Sequence, residues 1–550
     1  MNPIKLNESK TIPVKIQHPD GEVAYTNIQL VYGKIPQIDL RGDIQEKDII
    51  VHAINDSVSD TYYISGIQKQ NFFSPSFFEY LFVGNADKDN LKKIYFTVPE
   101  LSSYFHRELN YDIDNDANIS GNLKINPLEA KIESLGLSIE IHQGYSLQSN
   151  EDHTGFSFKN IIYFSFESET SLTFQNIKKL MYKVIGLLTW VTGYPVSIDS
   201  ITVSDKIKDS YLYLPLVKKT KNYDVSFPKS FMPIHVFRTY FQTLCTNYFD
   251  KKEIFEDIWS RTLPLFDFTG VLEYEVMLYA SILDKYFSYR FEEFNVETVQ
   301  NNNIDISKIE EILKNNEDLK KLLKGTNLLE QIDVKKLFSE EEFKSFIYKQ
   351  KFYFKHIGEE NIKIFIKSGD FFHIKSIRDR AAHGSKETLS TDKVLKYLWK
   401  TKMLTMYLIY KDLGVSESDF FKIISNTCHP IVMNCEIDKY LLDLKTGKTI
   451  LIELSDKEIK KIEKLKTEIK VFNEENKNLL FNSDLSQTAN DYFLENRINE
   501  FDPLRIYSYE KYIQNLIDKK NLNKTAKYYS EAYIKKKREK KMIQNIVIIY

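Results

Sequence analysis

Over the first 170 residues, apolar positions alternate with polar ones or run apolar for only a few residues. VAYTNIQLVY, DIIVHAIN, DTYYISGI, KIYFTVPEL, KIESLGLSIEIHQGY and NIIYFSFES are separated by DG, GN, ND and SG turns. Successive side chains of a strand point to opposite faces, so this period predicts a β-rich domain of sandwich or barrel-like pattern. FQNIKKLMYKVIGLLTWV then changes the period. Ile177, Leu180, Met181, Val184, Leu187, Leu188 and Val191 fall on one stripe, which predicts a helix stopping before Gly193-Tyr194-Pro195. The polar stretch VKKTKNYDVSFPKS (217–230) predicts a boundary, and from His235 the spacing is helical. Helices are expected over HVFRTYFQTLCTNYFDKKEIFEDIW, over 271–291 and within 307–366. ISKIEEILKNNEDLKKLLKG is one of these, with Ile306, Ile309, Ile312, Leu313, Leu319 and Leu322 at helical spacing.

The stretch Phe371–Gly414 predicts a short helix, a polar loop and a long helix. Phe371, Ile374, Ile377, Ala381 and Ala382 lie near one face of the first, with Asp370 as N-cap and Gly384 as C′ residue. Val394, Leu395, Leu398, Met403, Met406, Tyr407 and Tyr410 form the apolar side of the second. Beyond 430, YLLDLKTGKTILIEL places Thr446-Gly447 between two apolar runs and predicts a hairpin. Ser455 and Glu458 predict a capping box opening a helix to about 475, with further helices after it. The chain thus reads as a multidomain α+β protein. A β-rich domain covers 1–230, an all-α bundle 235–420, and a mainly helical extension with a small hairpin 430–550.

Composition narrows the classes. The 550 residues are 42% hydrophobic and 28% charged with net charge −2, an ordinary globular balance with no global signature of a nucleic-acid partner. Any such partner needs a local patch. Residues 371–413 supply one, since nine Lys or Arg against four Asp or Glu give +5. Cys245, Cys428 and Cys435 have neither disulfide-framework nor metal-ligand spacing, which fits a reducing cytoplasm. The opening MNPIKLNESK has no apolar core of a signal peptide, and no apolar run approaches the roughly 18–20 residues of a membrane span. A cytoplasmic location without membrane contact is therefore expected. His52, His106, His142 and His153 are scattered and read as surface or packing histidines. The cluster Lys535, Lys536, Lys537, Arg538, Lys540 and Lys541 reads equally as a solvated helix face or a phosphate-binding one.

The candidate chemistry sits in Arg378-Asp379-Arg380-Ala381-Ala382-His383-Gly384. Asp379 and His383, four apart, lie about 40° from one another on a helix and can touch, whereas Arg378 and His383 lie about 140° apart. They converge only if the helix end unwinds or a second copy supplies one of them. One reading is a solvated last turn whose basic groups complement the helix dipole. The other is a site for phosphodiester cleavage of RNA by its own 2′-hydroxyl, with no cofactor and no metal set. His383 can take or give a proton at cellular pH, and Arg378 can hold phosphate oxygens as charge develops. In that reading Asp379 orients His383, while Arg380, Lys375 and Lys386 grip neighbouring phosphates.

Arg378-Asp379-x3-His383 resembles the R-x4-6-H signature of the HEPN superfamily. It is similar in particular to the Apea-like HEPN group, in which Gly and a loop follow the motif before the last helix. The residue after Arg378 is Asp rather than the commoner Asn. VLEYEVMLYASILDKYFSYRF (271–291) resembles that group's earlier apolar helix, with Asp284 where Glu is expected. The β-rich start with its closing helix resembles the N-terminal domain fused to such modules. The resemblance implies a metal-independent endoribonuclease of bacterial anti-phage defence by abortive infection, with Arg378, His383, Asp379 and Asp284 at the site. It further implies a homodimer or higher even oligomer in which two motifs share a cleft, and a phage-derived trigger sensed through the N-terminal domain. Such a dimer is expected to bury the aromatic face of 271–291. RNA (tRNA, mRNA or rRNA) is the implied substrate. The alternative is a non-catalytic HEPN-like interaction or nucleic-acid-binding module.

Overall fold

The computed structural model describes residues 5–550 except 7, 18–22, 32–33, 41–47, 55–60, 69–74, 106–109, 114–118, 123–126, 150–155, 217–222, 227, 300–345, 386–388, 466, 476–477, 496–504, 520–523 and 537–538. The helix expected over 306–324 lies outside the described residues, as do His106 and His153. The class is mixed α+β, and the chain forms two compact units, Met1–Glu436 and Ile437–Tyr550.

Thirteen described strands of the first unit form one sheet, antiparallel at every pairing. The period-two segments place themselves as expected. In Thr61–Ser65 and Lys93–Thr97 alternate residues are buried, and Phe96 stacks on its cross-strand neighbour Phe164 at 5.1 Å. The order is not sequential, because Lys93–Thr97 inserts between Phe156–Ser168 and Ser200–Ser204. Leu128–Ile132 is one edge. That edge is covered by a side chain: Gln242 accepts the Lys131 N–H at 2.9 Å and donates to the Lys131 carbonyl at 2.8 Å.

The helix Phe174–Thr192 is capped by Thr173 and ends at Gly193, whose φ of +76° suits a glycine. The stripe is buried as expected except at Leu180, which is half-buried. Phe174 packs among Tyr63, Tyr80 and Phe82 of the sheet, while Trp190 at the other end packs on Tyr248 and Phe255. The helix therefore belongs to two cores, that of the sheet and that of the helices following Pro233. The latter run Ile234–Asp250, Leu272–Val299, Phe346–Ile357, Asp370–Ala382, Thr391–Asp412 and Glu417–Asn426, with a π-helical turn Glu253–Ile258 and a 3-10 turn Trp259–Asp267. Thr391–Asp412 is their axis. From Lys400 onward it is buried almost all round, and its Tyr410 hydroxyl donates to the Trp190 carbonyl at 3.0 Å.

The aromatic face of Leu272–Val299 needs no second copy to cover it, contrary to expectation. Tyr279, Tyr286 and Phe287 are buried within the chain, Phe287 packing on Phe346, Tyr353 and Phe354. Near this helix's far end Asp412, 2% exposed, accepts hydrogen bonds from Arg290, Trp259 Nε1 (2.7 Å) and the Tyr286 hydroxyl (3.3 Å).

Among the described residues of the first unit, His429 is the buried histidine. Its Nδ1 accepts the Ile431 N–H, capping Pro430–Asn434, and its Nε2 lies 3.1 Å from the Gly193 carbonyl, to which it donates. Both ring nitrogens are satisfied only as the neutral imidazole, and burial pushes the group down to about 3. Unfolded His429 takes up a proton near pH 6.5. Its contribution to stability is thus complete above pH 6.5 and lost as pH falls from there toward 3, by about 1.4 kcal/mol per unit. Urea midpoints at pH 7.5 and 5.5 are expected to show this loss in the wild type and a flatter profile in His429→Asn. Identical profiles would remove His429 as the cause.

The second unit corrects three expectations. Thr446-Gly447 does not turn a hairpin: Lys439–Thr446 is a helix capped by Asp438, with Gly447 at φ +70° as its stop. A glycine in the left-handed region serves either role, so the dipeptide alone could not decide. The Ser455/Glu458 capping box is present, but its helix is Asp456–Lys464 and the chain continues as the strand Lys470–Glu475. The Lys-rich tail is not a helix face. Ala526–Lys536 and Glu539–Ile549 form a hairpin in the middle of a five-stranded sheet. Helices Ser483–Glu495 and Arg505–Lys519 lie between the strand Asn478–Asn482 and this hairpin, and apolar clusters cover both faces of the sheet. Of the basic cluster, Lys535 pairs with Glu453 and Lys541 with Glu463, each at 2.7 Å, and residues 537–538 lie outside the described residues.

Candidate active site

The Asp370–Ala382 helix is fixed by its apolar side and closed by its glycine. Phe371, Ile374 and Ile377 are fully buried, Phe371 edge-on to Phe354 at 5.3 Å. Ala381 is only half-buried and Ala382 is exposed, so the buried face ends a turn earlier than the spacing suggests. Asp370 is the first helical residue rather than the N-cap. Its carboxylate accepts the Lys367 N–H at 2.8 Å and pairs with buried Lys400 at 2.7 Å. At the other end His383 is the C-cap and Gly384, at φ +63°, the C′ residue. Ser385 N–H donates to the Arg380 carbonyl at 2.9 Å and Gly384 N–H to the Ala381 carbonyl at 3.3 Å, the two bonds of a Schellman closure.

Three helices deliver the charged side chains. Arg378 donates from Nη1 to Asp284 of Leu272–Val299 at 2.9 Å and from Nε to Asp379 at 3.2 Å, with its guanidinium 5.1 Å from the centre of the Phe346 ring. Lys375 pairs with the other oxygen of Asp379 at 2.7 Å. Lys349, from Phe346–Ile357, reaches Asp284 at 3.5 Å and the Ser288 hydroxyl at 2.7 Å. Lys349, Lys375 and Arg378 against Asp284 and Asp379 leave the cluster at +1. Burial pushes the Asp379 carboxyl up, but the hydrogen bonds from Lys375 and Arg378 outweigh it and hold the group below the ordinary aspartate value.

Arg378, Asp379, Asp284 and Lys375 therefore converge. His383 does not join them. It is exposed at the cap, and among the described residues its ring makes no hydrogen bond to Asp379 or Arg378. Asp379 holds Arg378 and Lys375, not the histidine. Arg380 is half-buried on the same last turns, and Lys386 lies outside the described residues. Lys349, Ser288 and Phe346 are the members that sequence reasoning missed. Lys349 stands 65 residues from Asp284 with no spacing signal between them. His142, by contrast, is a packing histidine as expected, stacked on Tyr163 and bonded to Glu140. Among the described residues no group of three or more His, Cys, Asp or Glu is placed to hold a metal ion, and no helix is long and apolar enough to cross a membrane.

Fold and site together define an α+β protein in which a large antiparallel sheet adjoins a helical array bearing a charged helix end. Residues 52–248, from the fourth strand to the end of Ile234–Asp250, match the family model described as ApeA N-terminal domain 1. That match supports an ApeA-like protein, and it stops short of the motif helix. No curated protein and no solved structure matches the chain at a significant level.

Proposed function

We propose that this chain is a metal-independent endoribonuclease of the HEPN type that acts in bacterial anti-phage defence by abortive infection. The observation that carries the reading is the Arg378–Asp284 pair at 2.9 Å, which joins the two helices picked out by the HEPN resemblance. The match to ApeA N-terminal domain 1 supports the same family reading from a separate part of the chain. In the reaction His383 acts on the proton of the RNA 2′-hydroxyl or of the leaving 5′-oxygen. The 2′-oxygen bonds to phosphorus, the P–O5′ bond breaks, and the products are a 2′,3′-cyclic phosphate and a 5′-hydroxyl. Arg378 neutralises the phosphorane oxygens.

One histidine is too few for both proton transfers, so the reading places a second copy of the motif across a dimer cleft. The surface available for it includes Phe372, 56% exposed on the motif helix. Co-expressed Arg378→Ala and His383→Ala chains, each inactive alone, are expected to restore some RNA cleavage in EDTA. An active wild type of monomeric mass without complementation would refute the shared cleft. One observation favours the alternative of a non-catalytic module: two carboxylates already engage Arg378, and His383 bonds neither. Wild-type protein that binds RNA but cuts none, with or without phage infection, would decide for that module.

A further inference from the structure

Away from the charged helix end, a cleft of about 980 Å³ opens between the sheet, the Phe174–Thr192 helix and the Glu253–Asp267 turns. Its floor is apolar and buried, with Leu137 and Leu172 from the sheet side and Phe249 and Phe255 from the helical side. Leu180, the one residue of the expected stripe that is not buried, faces this space together with Leu263. The volume is that of a small-molecule site. The π-helical turn Glu253–Ile258 forms part of the wall, a geometry frequent at functional sites.

Two polar features say what kind of molecule fits. Tyr248 is 6% exposed and lines the cleft, where its hydroxyl offers a donor to a ligand acceptor. Burial also pushes this phenol well above its ordinary value, which keeps it a donor. Charge is unbalanced at the exposed part of the lining. Glu256 is taken by Lys183 at 2.7 Å and Asp267 accepts from the Tyr223 hydroxyl at 2.8 Å. Lys179 and Lys252 are exposed and have no carboxylate partner among the described residues.

We propose that this cleft binds an amphipathic monoanion, a small molecule with an apolar body and one carboxylate-like head. The body lies on the Leu137, Leu172 and Phe255 floor, and the head is held by Lys179, Lys252 and a donor such as Tyr248. Occupancy would bear on the Trp259–Asp267 turn, whose Trp259 donates to Asp412 beside Arg290 of the Leu272–Val299 helix. The site thus adjoins the framework that carries Asp284.

The test uses the full chain with decanoate, decanol and decylammonium below their aggregation limits, read by calorimetric titration and by the fluorescence of nearby Trp190. Decanoate is expected to bind saturably, with decanol and decylammonium at least about tenfold weaker, and Lys179→Glu/Lys252→Glu is expected to weaken decanoate by at least about tenfold. Leu180→Trp, which fills the space, is expected to abolish binding. The two lysines are exposed, so the double variant remains informative even if Leu180→Trp does not fold. Absence of saturable decanoate binding, equal affinity for decanol, or unchanged affinity in the double variant would each overturn the proposal.

Discussion

His383→Ala is expected to lower RNA cleavage in EDTA by about 10²–10⁴-fold while leaving the melting curve unchanged. The structure makes the second half of that statement firm. The His383 side chain is exposed and makes no hydrogen bond among the described residues, and the cap rests on backbone bonds and on Gly384. Alanine is tolerated at a C-cap of this kind. A loss of activity therefore reports chemistry and not unfolding. The wild-type products should carry 2′,3′-cyclic phosphate ends. Equal cleavage by wild type and variant would remove His383 from the reaction, and linear 3′-hydroxyl ends would remove the 2′-hydroxyl mechanism.

Arg290→Ala is expected to destabilise the first unit by about 3–5 kcal/mol, because it leaves a buried carboxylate without its cation. Asp412 would keep Trp259 and Tyr286 as donors but lose the only guanidinium bonded to it among the described residues. Burial already pushes the Asp412 carboxyl up, with Arg290 opposing it. Without Arg290 it rises further. A carboxyl whose folded value lies above its unfolded one stabilises the fold at low pH and loses that contribution as pH rises, so the variant should suffer less at pH 5 than at pH 8. Asp412→Asn added to Arg290→Ala should recover part of the loss at pH 8. Failure of the asparagine to recover anything would show that lost stacking of the Arg290 guanidinium on Tyr286 and Tyr289 dominates. Asp284 and Arg290 share a helix, six residues or about 9 Å apart, so the same variant should loosen the hold on Arg378.

The change of period near residue 173, the helix from there to Gly193, and the closure of the motif helix at Gly384 could all be read from the chain. Each depends on neighbours within one or two turns. Pattern also separated the β-rich start from the helices after Pro233, and it brought Asp284 and Arg378 to notice, though by resemblance and not by spacing. It misjudged the tail. Whether KKKREKKMIQNIVIIY becomes strand or helix depends on what lies beside it, and the partners are remote: Glu453 pairs with Lys535, and Phe472 with Ile548.

The sequence by itself thus determined where the helix Phe174–Thr192 begins and stops, which of its faces is apolar, and where the motif helix closes, because periodicity and caps are local. Tertiary structure alone decided what covers those faces and which charges meet. It gave the aromatic face of Leu272–Val299 partners within the chain, turned Asp379 toward Lys375 and Arg378 instead of His383, and left Leu180 and Tyr248 lining an open cleft. The physical reason is one of range. A hydrophobic stripe records that a surface is buried, but the surface that buries it comes from residues far along the chain, whose approach no local pattern encodes.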